Sequence, residues 1–317
     1  MMKLLNYIKS LRRVIRDSWK QRHQVVKEYC NFESEKTRSW LCEFIERYCN
    51  SAHNVAVFNI YGRVEDQMFW SKRPYKIFFT AENVHVQASR WKKYEDLFLD
   101  DNNVALSLGF DYYSRPQYLR FPYWILRHFH PSDSISDIQK VLDNMEAARK
   151  NTMRSKFCSF ICRADYFGDR AKLADIVEQV APISYAGNFR HNDDDLAIKY
   201  ADDKISYLRD VQFSLCPENS NSRGYVTEKL FDAFRAGCIP IYWGSDNNPE
   251  PDIINQDAII FVTPDGNNTA AIDRIQKIRT NPDAYRAFLS KPIFLPGAAM
   301  RINQYMLDLK EKLKEMK

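Results

Sequence analysis

Apolar positions along this chain recur with two different periods, and the change from one to the other divides it. Through residues 1–50 the spacing is helical. Leu4, Ile8, Leu11, Ile15 and Trp19 step by three and four residues and draw one stripe, and Ser39 to Tyr48 forms a second amphipathic segment. No strand pattern stands out there. From Asn54 onward short apolar or β-branched runs bounded by Gly, Asp and Asn take over, at Asn54 to Ile60, Tyr75 to Thr80 and Val104 to Leu108, as in parallel strands buried on both faces. Residues 131–155 open with a turn cluster and continue polar and helical, which makes them the expected connection between two domains. A second series follows, with strands expected at Lys156 to Cys162, Pro182 to Tyr185, Val211 to Leu215, Cys238 to Trp243 and Ala258 to Val262. Helices are expected between them at Asp169 to Val180, Val226 to Ala236 (stopped by Gly237) and Thr269 to Arg279. This alternation predicts an α/β fold with parallel sheets covered by helices. The division that results is a helical segment 1–50, domains 51–150 and 151–300, and a terminal amphipathic helix 301–317 carrying Ile302, Tyr305, Leu309 and Leu313 on one face.

Composition narrows the class. With 317 residues, 45% of them apolar, the chain can bury a core of two-domain size. No run approaches the roughly 18 uncharged apolar residues that span a bilayer, and the start lacks the apolar core of a signal peptide, so a cytoplasmic location is expected. Seven cysteines without a CxxC pair point to reduced, buried thiols rather than a disulfide framework or a zinc site. The net charge of +5 is concentrated at one end, where residues 1–27 hold eight basic groups against Asp17. Two readings of that basic amphipathic helix stay open: it lies on the anionic inner face of a membrane, or it packs its stripe on its own domain. Nucleic-acid binding is not expected, because the basic residues are not interleaved with stacking aromatics.

Ligands of open α/β sheets sit beyond the carboxyl ends of the strands, so polar residues just after strand candidates carry the most weight. Glu82 directly follows an apolar strand and reads either as a general base or as a cap. The block 216–244 packs a polar loop, a helix start and a buried strand together. Thr227 is a good N-cap, and Glu228 and Lys229 fall in the first turn, where free N–H groups and the helix dipole favour an anion such as a diphosphate. Asn219, Tyr225 and Glu228 add hydrogen-bonding groups suited to a sugar or ribose, and Gly224 allows close approach of the backbone. The other reading of the block is a well-capped helix with a solvated loop. Arg170, near the start of a helix, either reaches a phosphate or is solvated. The trio Asp193, Asp194 and Asp195 reads as solvent-facing rather than as a metal site.

These motifs resemble the α-1,3/4-fucosyltransferase family, in its bacterial branch. The resemblance rests on Phe213-Ser-Leu-Cys-Pro-Glu-Asn-Ser220, Gly224-Tyr-Val-Thr-Glu-Lys-Leu230 and Ile239-Pro-Ile-Tyr-Trp-Gly-Ser245. Phe78-Phe-Thr-Ala-Glu-Asn83, Leu108-Gly-Phe-Asp111 and Tyr118-Leu-Arg-Phe-Pro122 support it, and it covers roughly residues 55–300. It implies two Rossmann-like domains facing a cleft (the GT-B type of glycosyltransferase), the first for an acceptor glycan and the second for GDP-β-L-fucose. It implies inverting transfer, with Glu82 as the general base, Lys229 and Arg170 stabilising charge on the diphosphate, and Asn219, Tyr225 and Glu228 holding the nucleotide, ribose and fucose. It also implies that no metal or other cofactor is needed. The first 50 or so residues do not match the family's usual opening, which leaves the acceptor open between N-acetyllactosamine-type and lipopolysaccharide-like glycans. Two alternatives are another nucleotide-sugar transferase of the same fold and a non-catalytic basic protein binding membrane or nucleic acid through residues 1–27.

Overall fold

The computed structural model describes residues 2–29, 39–100, 102–151 and 153–316, the first six of these by their backbone. Cys30 and the Leu4 side chain lie outside what is described. The chain divides into two compact units, Met1–Asp133 with Gln304–Lys317, and Ser134–Asn303.

The first unit is built on five parallel strands in the order of the chain, β1 (Lys27–Tyr29), β2 (Val55–Phe58), β3 (Tyr75–Phe79), β4 (Leu106–Gly109) and β5 (Tyr118–Arg120). All four residues of β2 are buried, as its unbroken apolar run requires. Phe58, Phe78, Val84, Tyr94 and Phe98 form the centre of this unit's core. Strand β1 corrects the expectation that residues 1–50 are helical throughout. It is a three-residue edge strand with Lys27 and Glu28 half-buried, and charged residues on short edges are what keep a sheet from pairing with another chain. The helix Trp40–Tyr48 is capped by the Ser39 hydroxyl, which accepts from Cys42 N, and it buries Leu41, Cys42, Phe44 and Ile45.

The N-terminal helix, Met2–Lys20, packs against the helix Val64–Trp70. Its inward face is partly polar. Val14 is buried, Trp70 Nε1 donates to Ser10 Oγ at 3.3 Å, and Gln67 Nε2 donates to Asp17 Oδ2 at 2.8 Å. The apolar stripe turns away: Ile15 is 58% and Trp19 63% exposed, and the Arg22 guanidinium lies over the Trp19 ring. No helix among the described residues is long and apolar enough to cross a membrane.

The second unit holds four parallel strands, β6 (Lys156–Ser159), β7 (Val211–Leu215), β8 (Ile239–Tyr242) and β9 (Ile260–Phe261), again in chain order. The segment expected as a strand at Pro182 to Tyr185 contributes a single bridge, Ser159 to Ser184. The expected inter-domain connection contains the helix Ile135–Ala148, whose start is fixed by a capping box between Ser134 and Asp137. It belongs to the second unit, where Ile138, Leu142 and Met145 are buried and Glu146 accepts from Ile293 N at 2.7 Å. Arg154 gathers backbone carbonyls from several elements here: Nη1 donates to Arg209 O at 2.9 Å and Val211 O at 3.1 Å, and Nη2 to Ala236 O at 3.0 Å and Ala148 O at 3.2 Å. The last helix, Ala298–Lys314, begins in this unit and from Gln304 belongs to the first; it buries Ile302, Leu309 and Leu313.

Candidate functional site

Strand β7 ends at Leu215, and the chain runs on beside β8 through Cys216 N to Ile241 O and Glu218 N to Trp243 O, both 2.9 Å. This brings the Glu218 side chain, fully buried, under the start of the helix Glu228–Ala236. There the carboxylate accepts four donors. Oε1 takes Thr227 N at 2.7 Å and Tyr242 OH at 3.3 Å, while Oε2 takes Thr227 Oγ1 at 2.6 Å and Lys229 Nζ at 3.2 Å. A buried carboxylate in this environment needs such a set of donors to offset its lost hydration. Thr227 occupies the N-cap position as its type predicts, but its hydroxyl makes no cap hydrogen bond and goes to Glu218 instead. The intervening loop is fastened to the segment after β8. Gly224 N donates to Ser245 Oγ at 3.0 Å, and Asn221 and Asp246 exchange two hydrogen bonds of 2.8 Å.

Arg170 approaches the same place from the helix Asp169–Glu178. The start of that helix is held by Asp165, whose carboxylate accepts Gly168 N at 2.9 Å and Ala171 N at 2.8 Å. Arg170 is not solvated but 7% exposed: Nη1 donates to Ala164 O at 2.8 Å and Cys162 Sγ at 3.3 Å, and Nη2 donates to Asn219 Oδ1. Burial pushes the Cys162 thiol up, against the pull of the Arg170 charge.

Between these elements lies a cavity of about 220 Å³ whose lining includes Arg170, Asn219, Glu228 and Lys229. Arg163 and Lys204 line it too, so four cations face it against the single carboxylate of Glu228. Lys204 is paired with Asp232 at 2.8 Å and Lys229 with Glu228 at 3.7 Å. Phe160, Leu215 and Cys216 supply an apolar wall. Such a cavity favours a small anionic ligand that also carries an apolar part. Tyr225 is buried at 1% exposure and is not part of this lining.

Glu82 belongs to the first unit. It stands beyond the carboxyl end of β3 in a turn fixed by Thr80, whose Oγ1 accepts Glu82 N and donates to Glu82 O, both at 3.0 Å. Its carboxylate is half-buried and accepts from Tyr61 OH at 3.1 Å. Three residues on, His85 bridges Glu95 at 2.8 Å and Asp111 at 3.0 Å. Hydrogen bonding to Asp111 raises the pKa of His85, burial opposes it, and Glu95 adds to the rise.

The acidic trio is engaged by cations of the chain itself. Lys156 reaches Asp193 at 2.5 Å and Asp195 at 2.8 Å, and His191 pairs with Asp194 at 2.7 Å. Among the described residues no three His, Cys, Asp or Glu side chains are grouped to hold a metal ion. The sequence alone assigns Glu218 no role. Like Glu82, however, it is a carboxylate just past an apolar strand.

Residues 147–291 match the family described as Glycosyltransferase family 10 (fucosyltransferase) C-term, and this span contains every residue lining the cavity. They are a glycosyltransferase family 10 domain. Glu82 lies outside the family 10 span. Alpha-(1,3)-fucosyltransferase FucT of Helicobacter pylori is 28% identical over 210 residues, 58% of this chain and 42% of that protein. The chain thus spans less than half the length of this relative. A crystal structure of an alpha1,3-fucosyltransferase superposes with a TM-score of 0.63 at 20% identity, covering 91% of each chain. Another, with GDP-fucose, gives 0.55 at 22% identity, covering 81% of this chain and 78% of that one. These likenesses establish the fold, an α/β architecture of GT-B type with one parallel sheet in each unit.

Proposed function

We propose that this chain is an inverting α-1,3-fucosyltransferase that moves L-fucose from GDP-β-L-fucose to a hydroxyl of an N-acetyllactosamine-type or lipopolysaccharide-like glycan. The observation that carries the reading is the cavity of the family 10 domain, where Arg170, Asn219, Glu228 and Lys229 converge among four cations. In this reading Lys229 and Arg170 stabilise the charge that grows on the diphosphate as the sugar–oxygen bond breaks. Glu228 accepts hydrogen bonds from sugar or ribose hydroxyls, Asn219 is oriented for the nucleotide by Arg170, and Tyr225, buried in the same loop, supports the donor from behind the cavity lining. Glu82 takes the proton of the acceptor hydroxyl as that oxygen attacks C1 from the side opposite the departing GDP. The side-chain cations balance the leaving group, so the reading requires no metal ion.

The test is turnover by the full chain of GDP-fucose beside GDP-mannose, with a panel of acceptor glycans and with EDTA. GDP-fucose should be strongly preferred, one acceptor class should accelerate its consumption, and EDTA should leave the rate unchanged. Equal turnover of the two donors would count instead for a different nucleotide-sugar transferase.

The outward stripe of the N-terminal helix favours a second assignment, contact with an anionic bacterial inner-membrane surface. Ile15 and Trp19 are exposed among Arg12, Arg16 and Lys20, the arrangement of a helix that lies in a lipid interface. The full chain should sediment with phosphatidylglycerol vesicles and not with phosphatidylcholine vesicles. Ile15→Asp with Trp19→Asp should abolish that binding; retained sedimentation would end the idea.

A further inference from the structure

We propose that Glu218 is a positioning residue that holds the Lys229 ammonium, directly and through the Thr227 hydroxyl, in place for the diphosphate of a nucleotide sugar. The inference rests on the donor reading above and adds to it a residue that does not line the cavity.

The hydrogen-bond directions carry the argument. A hydroxyl has one proton, and at 2.6 Å the Thr227 proton goes to Glu218 Oε2, because the other neighbour of that hydroxyl, the Lys229 ammonium, can only donate. The Thr227 oxygen must then present its lone pairs to Lys229 Nζ, which lies 2.8 Å away and donates to it. Lys229 therefore donates to both Thr227 Oγ1 and Glu218 Oε2, the second at 3.2 Å, and lies farther from Glu228, at 3.7 Å. Glu218 sets the rotation of Thr227 as well as the place of Lys229. A threonine acting only as a helix cap would turn its hydroxyl to the free N–H groups of the first turn, and here that bond is absent.

The surroundings of Glu218 are shaped for it. Gly244 has φ 143° and ψ 169°, a conformation essentially confined to glycine. A Cβ there would stand 2.7 Å from Glu218 Cγ and 3.0 Å from the Tyr242 hydroxyl oxygen. The carboxylate charge is spread over a backbone N–H, two hydroxyls and the ammonium, so Lys229 is held without having the whole carboxylate to itself. A flexible lysine fixed in this way loses less side-chain freedom when a phosphate arrives.

The experiment is a double-mutant cycle on GDP affinity, measured by calorimetry with the full chain. Glu218→Gln keeps the shape and removes the charge; it should weaken GDP binding by about tenfold or more, the scale of one lost charge-assisted hydrogen bond. Lys229→Ala should weaken it at least as much. The double variant should be no weaker than Lys229→Ala alone, because Glu218 acts through that lysine. Thr227→Val should lose affinity as Glu218→Gln does, and Thr227→Ser, which returns the hydroxyl, should recover it. Multiplied effects in the double variant, or wild-type affinity in Glu218→Gln, would overturn the proposal. Should Glu218→Gln fail to fold, the threonine pair decides, and equal affinity of the Val and Ser variants would overturn it equally. Failure of the wild-type chain to bind GDP would instead remove the donor reading itself, and this inference with it.

Discussion

The Tyr61 hydroxyl donates to Glu82 Oε1 at 3.1 Å, just beyond the carboxyl end of β3. The tyrosine orients the carboxylate, and the Thr80 turn fixes the backbone beneath it. If Glu82 is the base, Glu82→Gln should lower the rate of transfer by about 10² or more, the usual worth of a positioned proton acceptor. GDP affinity should be unchanged, because the cavity proposed for the donor is lined wholly by the other unit. Tyr61→Phe should cost about tenfold or less, as it removes one neutral donor and leaves the carboxylate. Initial rates against acceptor concentration check both.

Gly244→Ala should damage stability and GDP binding together. The positive φ alone costs about 1–3 kcal/mol for a residue other than glycine, and the added methyl must also displace Glu218. Thermal unfolding and GDP titration of the same sample measure the two losses. A variant that melts early yet binds GDP normally would separate backbone strain from the Glu218 contacts.

His85 makes the stability of the first unit depend on pH. Its pKa is raised from the ordinary 6.5, chiefly by the hydrogen bond to Asp111, with Glu95 adding to it against the effect of burial. Lys92, paired with Glu95, is the nearest competing cation for that carboxylate. A raised folded-state pKa contributes stability that is complete below the unfolded value and is lost as pH rises through the folded one. The melting temperature should therefore fall as pH climbs above 6.5, and His85→Gln should be less stable in acid while losing most of that slope. An unchanged slope would show that other groups set it.

Buried thiols should resist labelling. Burial raises Cys158 and Cys216 well above the usual thiol range and pushes Cys238 up to about 12. At pH 8 iodoacetamide should leave all three unmodified in the native protein and modify them in guanidinium, which peptide mass mapping resolves. Modification in the native state would mean that the sheet opens around them.

Burial on two faces explains which elements could be read from sequence. Strands β2 and β8 are apolar throughout and stand out as runs. Strands β1 and β5 are the two edges of their sheet and carry Lys27, Glu28 and Arg120 over only three residues each, so composition hides them. Periodicity found the stripe on the N-terminal helix but not its direction, which depends on Ser10 and Asp17 meeting Trp70 and Gln67 far along the chain. In the candidate site Arg170, Asn219, Glu228 and Lys229 were legible as chemistry and meet at one cavity. Glu218 was not, because its meaning lies in partners supplied by Thr227 and Tyr242 and in the space left at Gly244.

Arg154 makes the second unit hard to divide. Its guanidinium donates to carbonyls at Ala148, Arg209, Val211 and Ala236, so the end of one helix, the approach to β7 and the end of another helix share a single side chain. At Gly237, where a Cβ would stand 2.3 Å from Ala148 O, the fit is too close for any other residue. The family 10 span opens at residue 147, inside the helix whose buried face and last carbonyls complete this junction. A fragment cut at that point would lose most of that helix and fray where Arg154 gathers the chain; one begun before Ser134 would keep the clamp whole and unfold as a single cooperative piece.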